Sequence, residues 1–163
     1  MTDRDAVAAG RSRRHRAALA NEAWEALLHA QITLMRRFAA DPIWDELSMR
    51  EYDVLYTLAK AGTGMRLTDL NRAVLLSQPA LSRLVDRMAS KGLVERVPDP
   101  GDRRAVTIRA TDDGLARRRR VGARHALSVS AAMTDRLTDQ QMTELLTLCE
   151  ELAPTHENRS DQP

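Results

Sequence analysis

Gln78, Pro79, Ser82 and Arg83 lie within the run SQPALSR that begins at Ser77. An amide can exchange two hydrogen bonds with an adenine edge, and a guanidinium can grip a guanine edge or a phosphate. Proline and serine are small enough to admit a thymine methyl or a phosphate oxygen. These residues matter together only if one element presents them on one side. The spacing predicts such an element: Leu81, Leu84, Val85 and Met88 recur at i, i+3, i+4 and i+7, the period of one buried helix stripe. Ser77 is placed to cap the helix, Pro79 is tolerated in its first turn, and Gly92 is placed to end it. The outer face then carries Pro79, Ser82, Arg83 and Asp86, with Gln78 at the N-terminal end. That face suits a DNA major groove, and an ordinary solvated face satisfies the same pattern.

The residues that follow favour the first reading. After Gly92 the runs LVERV and AVTIR are β-branched, alternating and of strand length. Between them PDPGDRR, with two prolines and a glycine, reads as a turn whose tip is charged. A helix followed by a hairpin with a basic tip is the winged helix-turn-helix arrangement.

In these residues the chain resembles the MarR family of dimeric bacterial transcription regulators. The family pattern of a K-G-L-V-E-R turn into the first wing strand, a D-x-R wing tip and a T-x-x-G restart appears at Lys91 to Arg96, Asp102 to Arg104 and Thr111 to Gly114. It extends back through LSMREYDVLYTL, Leu47 to Leu58, and LTDLNRAVLLS, Leu67 to Ser77. The resemblance implies a recognition helix in the major groove, contacting DNA through Ser77, Gln78, Pro79, Ser82 and Arg83. It also implies a wing in the flanking minor groove, with Arg104 inserted, Asp102 orienting it and Arg103 on a phosphate. A carboxylate two residues away can hold a guanidinium in one orientation, and a fixed arginine suits a narrow, negative groove.

The distribution of charge agrees. The net charge of the 163 residues is only +2, but residues 66–124 hold 14 basic against 7 acidic side chains. The segments on either side, 21–65 and 125–163, are net acidic by 3 and 5. A basic middle between acidic flanks is the footprint of a polyanion partner. All five aromatics, Trp24, Phe38, Trp44, Tyr52 and Tyr56, lie outside that middle, which argues against stacking on single strands or RNA.

The fold class expected is mainly α with a small β-wing: a winged helix-turn-helix lobe plus N- and C-terminal dimerisation helices. Residues 1–16 read as a flexible basic arm, 17–47 and 111–154 as the helical dimerisation region, 48–110 as the DNA-binding lobe and 155–163 as a disordered tail. A helix from about Ala17 to Ala40 carries a broad apolar arc that includes Trp24, Leu27, Leu28, Ile32, Met35 and Phe38. Ser48-x-x-Glu51 and Thr138-x-x-Gln141 are capping boxes, each flanked by a hydrophobic staple: Leu47 with Tyr52, and Leu137 with Met142. Thr68 is placed to cap a brief helix, Met65 to Leu67 to add a short strand, and Thr111 to open a long helix whose first turns hold Arg117 to Arg120. Consecutive residues point around most of a helix, so these four arginines cannot share one phosphate.

The first and last helices offer more apolar surface than the lobe needs, which points to a homodimer on a pseudo-palindromic double-stranded operator. The family resemblance further implies a repressor released by a small molecule; the alternative is a winged-helix architectural DNA binder or protein-interaction module without small-molecule response. Trp24, His29, Tyr52 and Tyr56 are the candidate lining for an aromatic or phenolic ligand, with plain core packing as the alternative. The single cysteine, Cys149, excludes an internal disulfide and a multi-cysteine zinc site. It falls in the apolar stripe of the last helix and reads as a small buried hydrophobe, with a redox sensor as the alternative. No phosphate loop, dinucleotide turn, nucleophile motif or metal-spaced cluster is present, so neither an enzyme nor a cofactor is expected. No run spans a membrane and no signal peptide opens the chain, so the expectation is a cytoplasmic protein.

Overall fold

The computed structural model describes the backbone of residues 3–98 and 106–153, with side chains from residue 12 onward in those segments. The elements in chain order are α1 (Asp3–Ala39), α2 (Met49–Ala61), β1 (Met65–Arg66), α3 (Leu67–Ala73), α4 (Gln78–Ser90), β2 (Val94–Pro98), β3 (Val106–Ala110), α5 (Asp112–Thr134) and α6 (Asp139–Leu152). The chain divides into two units, Met1–Asp41 and Pro42–Pro163. Among the described residues no helix is long and apolar enough to cross a membrane.

The second unit is built around one core. Leu47, Val54, Leu55, Leu58, Leu70, Leu81, Leu84, Val85, Met88, Leu93, Val94, Ile108 and Val121 are all buried in it. The apolar stripe expected on α4 is the stripe that is buried. The sheet has the order β1-β3-β2 and is antiparallel throughout, with Met65 opposite Ile108 and Arg96 opposite Ile108 from the other side. The short strand expected near Met65 therefore joins the hairpin. Gly64 precedes it at φ +91°, where a Cβ would meet the Ile108 carbonyl oxygen at 2.8 Å, so only glycine fits against β3.

Helix α4 ends in a Schellman motif. Gly92 takes φ +70°, its N–H donates to the Ala89 carbonyl, and the Leu93 N–H donates to the Met88 carbonyl. The chain thus turns directly from α4 into β2, with Leu93 buried beneath. Gly114 closes the other side of this junction. A Cβ there would lie 2.1 Å from the Leu93 carbonyl oxygen, so α5 approaches the strand entry more closely than a side chain allows.

Three helix starts differ from expectation. Helical backbone begins at Asp3, earlier than the start expected near Ala17, so residues 3–16 belong to α1. The alanines and arginines of that stretch are strong helix formers, enough to offset Gly10. Arg66 occupies the N-cap position of α3 without a side-chain capping bond, and Thr68 lies inside the helix, because the helix starts where the β1–β3 pairing ends. Ser77 stands at the N-cap of α4 with extended backbone, yet its side chain makes no capping hydrogen bond. Both capping boxes, and Thr111 as the cap of α5, are formed as expected.

The outer helices leave their apolar faces uncovered in the single chain. On α1, Trp24 is 61% exposed, and Leu27, Leu28, Ile32 and Met35 are each about two-fifths exposed; Phe38 is buried. On α6 no residue is buried, and Leu145, Leu146, Leu148 and Leu152 are exposed. Cys149, expected to be buried, is exposed as well, because no neighbour in the described chain covers its stripe. The tail from residue 155 to 163 lies outside the described residues.

Glu51 joins the start of α2 to the end of α4. Its carboxylate accepts from the Ser48 N–H at 2.8 Å and from Lys91 Nζ at 2.7 Å, while its side chain is only 5% exposed. Burial pushes this carboxyl up, but the hydrogen bonds from Lys91 and Ser48 outweigh that and hold it below its ordinary value. A carboxyl lowered in the folded state stabilises the fold above its unfolded value and loses that contribution as pH falls through its folded value. Glu51→Gln is therefore expected to cost about 1–2 kcal/mol near neutral pH. Urea unfolding of both proteins at pH 7 and at pH 3.5 checks this: the difference should shrink at low pH, and an equal difference at both would contradict it.

Candidate nucleic-acid interface

Helices α3 and α4 and the turn between them form the helix-turn-helix, and β2 and β3 form the hairpin of the wing. With Leu81, Leu84, Val85 and Met88 turned into the core, the rotation of α4 about its axis is fixed. Ser77, Gln78, Pro79 and Arg83 are consequently exposed, and Ser82 is half-buried. The structure thus gathers the five recognition-helix candidates at and near one helix end. Asp102, Arg103 and Arg104 lie outside the described residues.

Two interactions that sequence patterns did not reveal hold α4 in place. Asn71 Nδ2 donates to the Leu76 carbonyl at 2.8 Å, tying α3 to the last turn residue before the α4 cap. Asp86 on the outer face of α4 accepts from the Arg96 guanidinium on β2 at 2.6 Å, linking the recognition helix to the wing. The first could have been suspected from an asparagine near the end of α3, since its amide is suited to bonding a nearby turn carbonyl. The second joins residues ten positions apart on different elements, and no local pattern announces it.

Two of the four arginines in the α5 run are engaged within the chain. Arg117 pairs with Asp113 at 2.9 Å, and Arg120 pairs with Glu46. One turn further on, Arg124 pairs with Asp45. The Arg124 guanidinium lowers the Asp45 carboxyl and the Arg120 guanidinium lowers that of Glu46. These pairs are surface contacts and orient the 42–47 segment more than they stabilise it.

Behind the lobe, Tyr52 packs edge-on against Trp44 at 5.8 Å and His125 at 5.5 Å, and lies 6.0 Å from Tyr56. Trp44 and His125 are themselves 5.4 Å apart. A Cβ at Gly122 would lie 3.2 Å from Tyr52 Oη, so α5 leaves room for the phenol. Burial pushes the Tyr52 phenol up, partly offset by the positive charge of Arg118. The Nε of Arg118 is buried with no hydrogen-bond partner among the described residues. Of the four residues expected to line a ligand site, Tyr52 and Tyr56 come together, whereas Trp24 and His29 lie on α1 in the other unit. Trp44 and His125, which were not among the four, pack with Tyr52, and Arg118 lies near enough to act on its phenol.

A three-stranded sheet with a helix-turn-helix on one flank defines a winged-helix protein whose exposed helix end carries hydroxyl, amide and guanidinium side chains. Residues 46–105 match the model of the MarR family. The crystal structure of AbsC, a MarR family transcriptional regulator from Streptomyces coelicolor, is similar with 30% identity and a TM-score of 0.70, over 82% of this chain and 90% of that one. Sco3205, a MarR family regulator from the same organism solved in complex with DNA, is similar with 27% identity and a TM-score of 0.67, over 83% and 88% of the two chains. The transcriptional regulator PecS of Dickeya dadantii is 32% identical over 100 residues, which span 59% of this chain and 60% of PecS. The chain belongs to the MarR family of transcription regulators.

If Asn71 fixes the turn into α4, Asn71→Ala should loosen the first turn of that helix while the rest of the lobe stays folded. The expected cost is about 1 kcal/mol of stability. Hydrogen exchange should be faster at the amides of Leu76 to Leu81 and unchanged at Val54 and Val85. Unchanged exchange throughout would contradict the assignment.

Proposed function

We propose that this protein is a homodimeric transcription repressor that binds a pseudo-palindromic double-stranded operator and is released by a small aromatic or phenolic ligand. The observation that carries the DNA-binding reading is the orientation of α4. Its apolar stripe is buried, and Gln78, Pro79 and Arg83 are presented at one exposed end. A helix N-terminus in a major groove reads bases through three or four such side chains. Gln78 is assigned to an adenine edge, Arg83 to a guanine edge or a phosphate, and Ser77, Pro79 and Ser82 to close backbone or methyl contact. At the wing tip Arg104 is assigned to the minor groove, with Asp102 orienting it and Arg103 on a phosphate.

Dimerisation is supported by the uncovered apolar faces of α1 and of α6. Large exposed apolar patches mark association surfaces, and a two-fold assembly places two recognition helices on one face of the duplex. Ligand release is supported by the ring cluster of Trp44, Tyr52, Tyr56 and His125 beside the Arg118 nitrogen. Aromatic walls with one buried donor suit a flat molecule that bears a carboxylate or phenolate.

The two arginines should behave differently in a binding titration. Arg104→Ala should weaken binding to most duplexes and reduce the slope of log affinity against log salt by about one. Arg83→Ala should in addition relax preference at particular base pairs, by roughly 1–3 kcal/mol if its contact is bidentate to guanine. Fluorescence anisotropy over a salt series, with matched and single-mismatch duplexes, separates the two. Unchanged affinity and unchanged base preference in Arg83→Ala would overturn the placement of α4 in the groove.

A further inference from the structure

We propose that Leu75 is an additional base-reading residue, one that packs against the C5 methyl of a thymine at the edge of the sequence read by α4. This inference rests on the DNA-binding reading above and adds to it a contact of a different kind, apolar where the others are polar.

Leu75 is 91% exposed, more than any other large hydrophobic side chain among the described residues. Its neighbours are not: Val74 and Leu76 both pack against the core. The Leu76 N–H donates to the Val74 carbonyl at 2.9 Å, closing a three-residue turn centred on Leu75. The Val74 N–H donates to the Leu70 carbonyl at 3.1 Å, and Asn71 holds the Leu76 carbonyl. Both sides of the turn are therefore anchored, and Leu75 is held outward by backbone that has its hydrogen bonds made.

A single exposed leucine needs no special account on most of a protein surface. The place of this one sets it apart. Leu75 precedes by two residues Ser77, the N-cap of the helix whose N-terminal end carries Gln78 and Pro79. The end of a recognition helix is the part that meets base edges in the major groove. There, the one apolar feature on any base edge is the thymine methyl, which distinguishes thymine from cytosine and sets the direction of an A·T pair. A branched aliphatic side chain on an anchored turn covers a methyl without ordering a flexible chain, so little entropy opposes the contact.

The test replaces thymine with deoxyuridine, one position at a time, in a duplex selected for tight binding to the wild-type protein. The exchange removes a methyl and leaves every hydrogen-bonding group in place. Wild-type protein should lose about fourfold in affinity at one position per half-site, the equivalent of one buried methyl group. Leu75→Ala should bind the thymine duplex several-fold less tightly and be insensitive to deoxyuridine at that same position, with its response at other positions unchanged. Equal weakening on thymine and deoxyuridine duplexes would assign Leu75 to the backbone and overturn the inference, as would unchanged affinity. Failure of the wild-type protein to bind any duplex would overturn the DNA-binding reading and this inference with it, an outcome distinct from both.

Discussion

Burial of Leu81, Leu84, Val85 and Met88 fixes how α4 is rotated, and with it which side chains can meet a partner. Four large side chains removed from water contribute on the order of 8 kcal/mol by transfer bookkeeping. The exposed Asp86–Arg96 pair contributes a small fraction of that. Packing therefore sets the orientation, and the ion pair and the Asn71 hydrogen bond refine the two ends of the helix. The Schellman stop at Gly92 then converts helix direction into strand direction within two residues. Recognition helix and wing are thus parts of one rigid corner, closed on the far side by the contact of Gly114 with Leu93.

Much of this was legible in the sequence because it is written in local patterns. The apolar stripe of α4, the boxes at Ser48 and Thr138, the cap at Thr111 and the alternating strands each depend on residues within one or two turns of each other. What was not legible depends on partners distant in sequence. Arg66, not Thr68, stands at the N-cap position of α3 because β1 is paired to β3, about forty residues away. The arginines of α5 looked like a basic cluster, yet Arg120 and Arg124 answer Glu46 and Asp45 across the fold. Trp44 and His125 meet Tyr52 for the same reason, from a loop and from α5. Cys149 shows the converse: its helical stripe was read correctly as apolar, but periodicity names the face and not what covers it.

Charge deserves the same distinction between sequence and space. The central segment is strongly basic by count, but Lys91, Arg96, Arg117, Arg120 and Arg124 all sit in ion pairs within the chain. Such pairs cancel much of the field they would otherwise project, so attraction to a polyanion falls on fewer side chains than the composition suggests. Arg83 on α4 and Arg119 on α5 are both exposed and belong to none of these pairs. Core packing holds a small set of polar groups at one exposed helix end.

The most direct measurement of the central claim is selection of bound duplexes from a random pool, with purified wild-type protein at about physiological salt. The account predicts enrichment of one pseudo-palindrome whose half-sites lie about one helical turn apart, roughly 10 bp, as two symmetry-related recognition helices require. Recovery of duplexes with no shared motif, or of a single unpaired half-site, would contradict it.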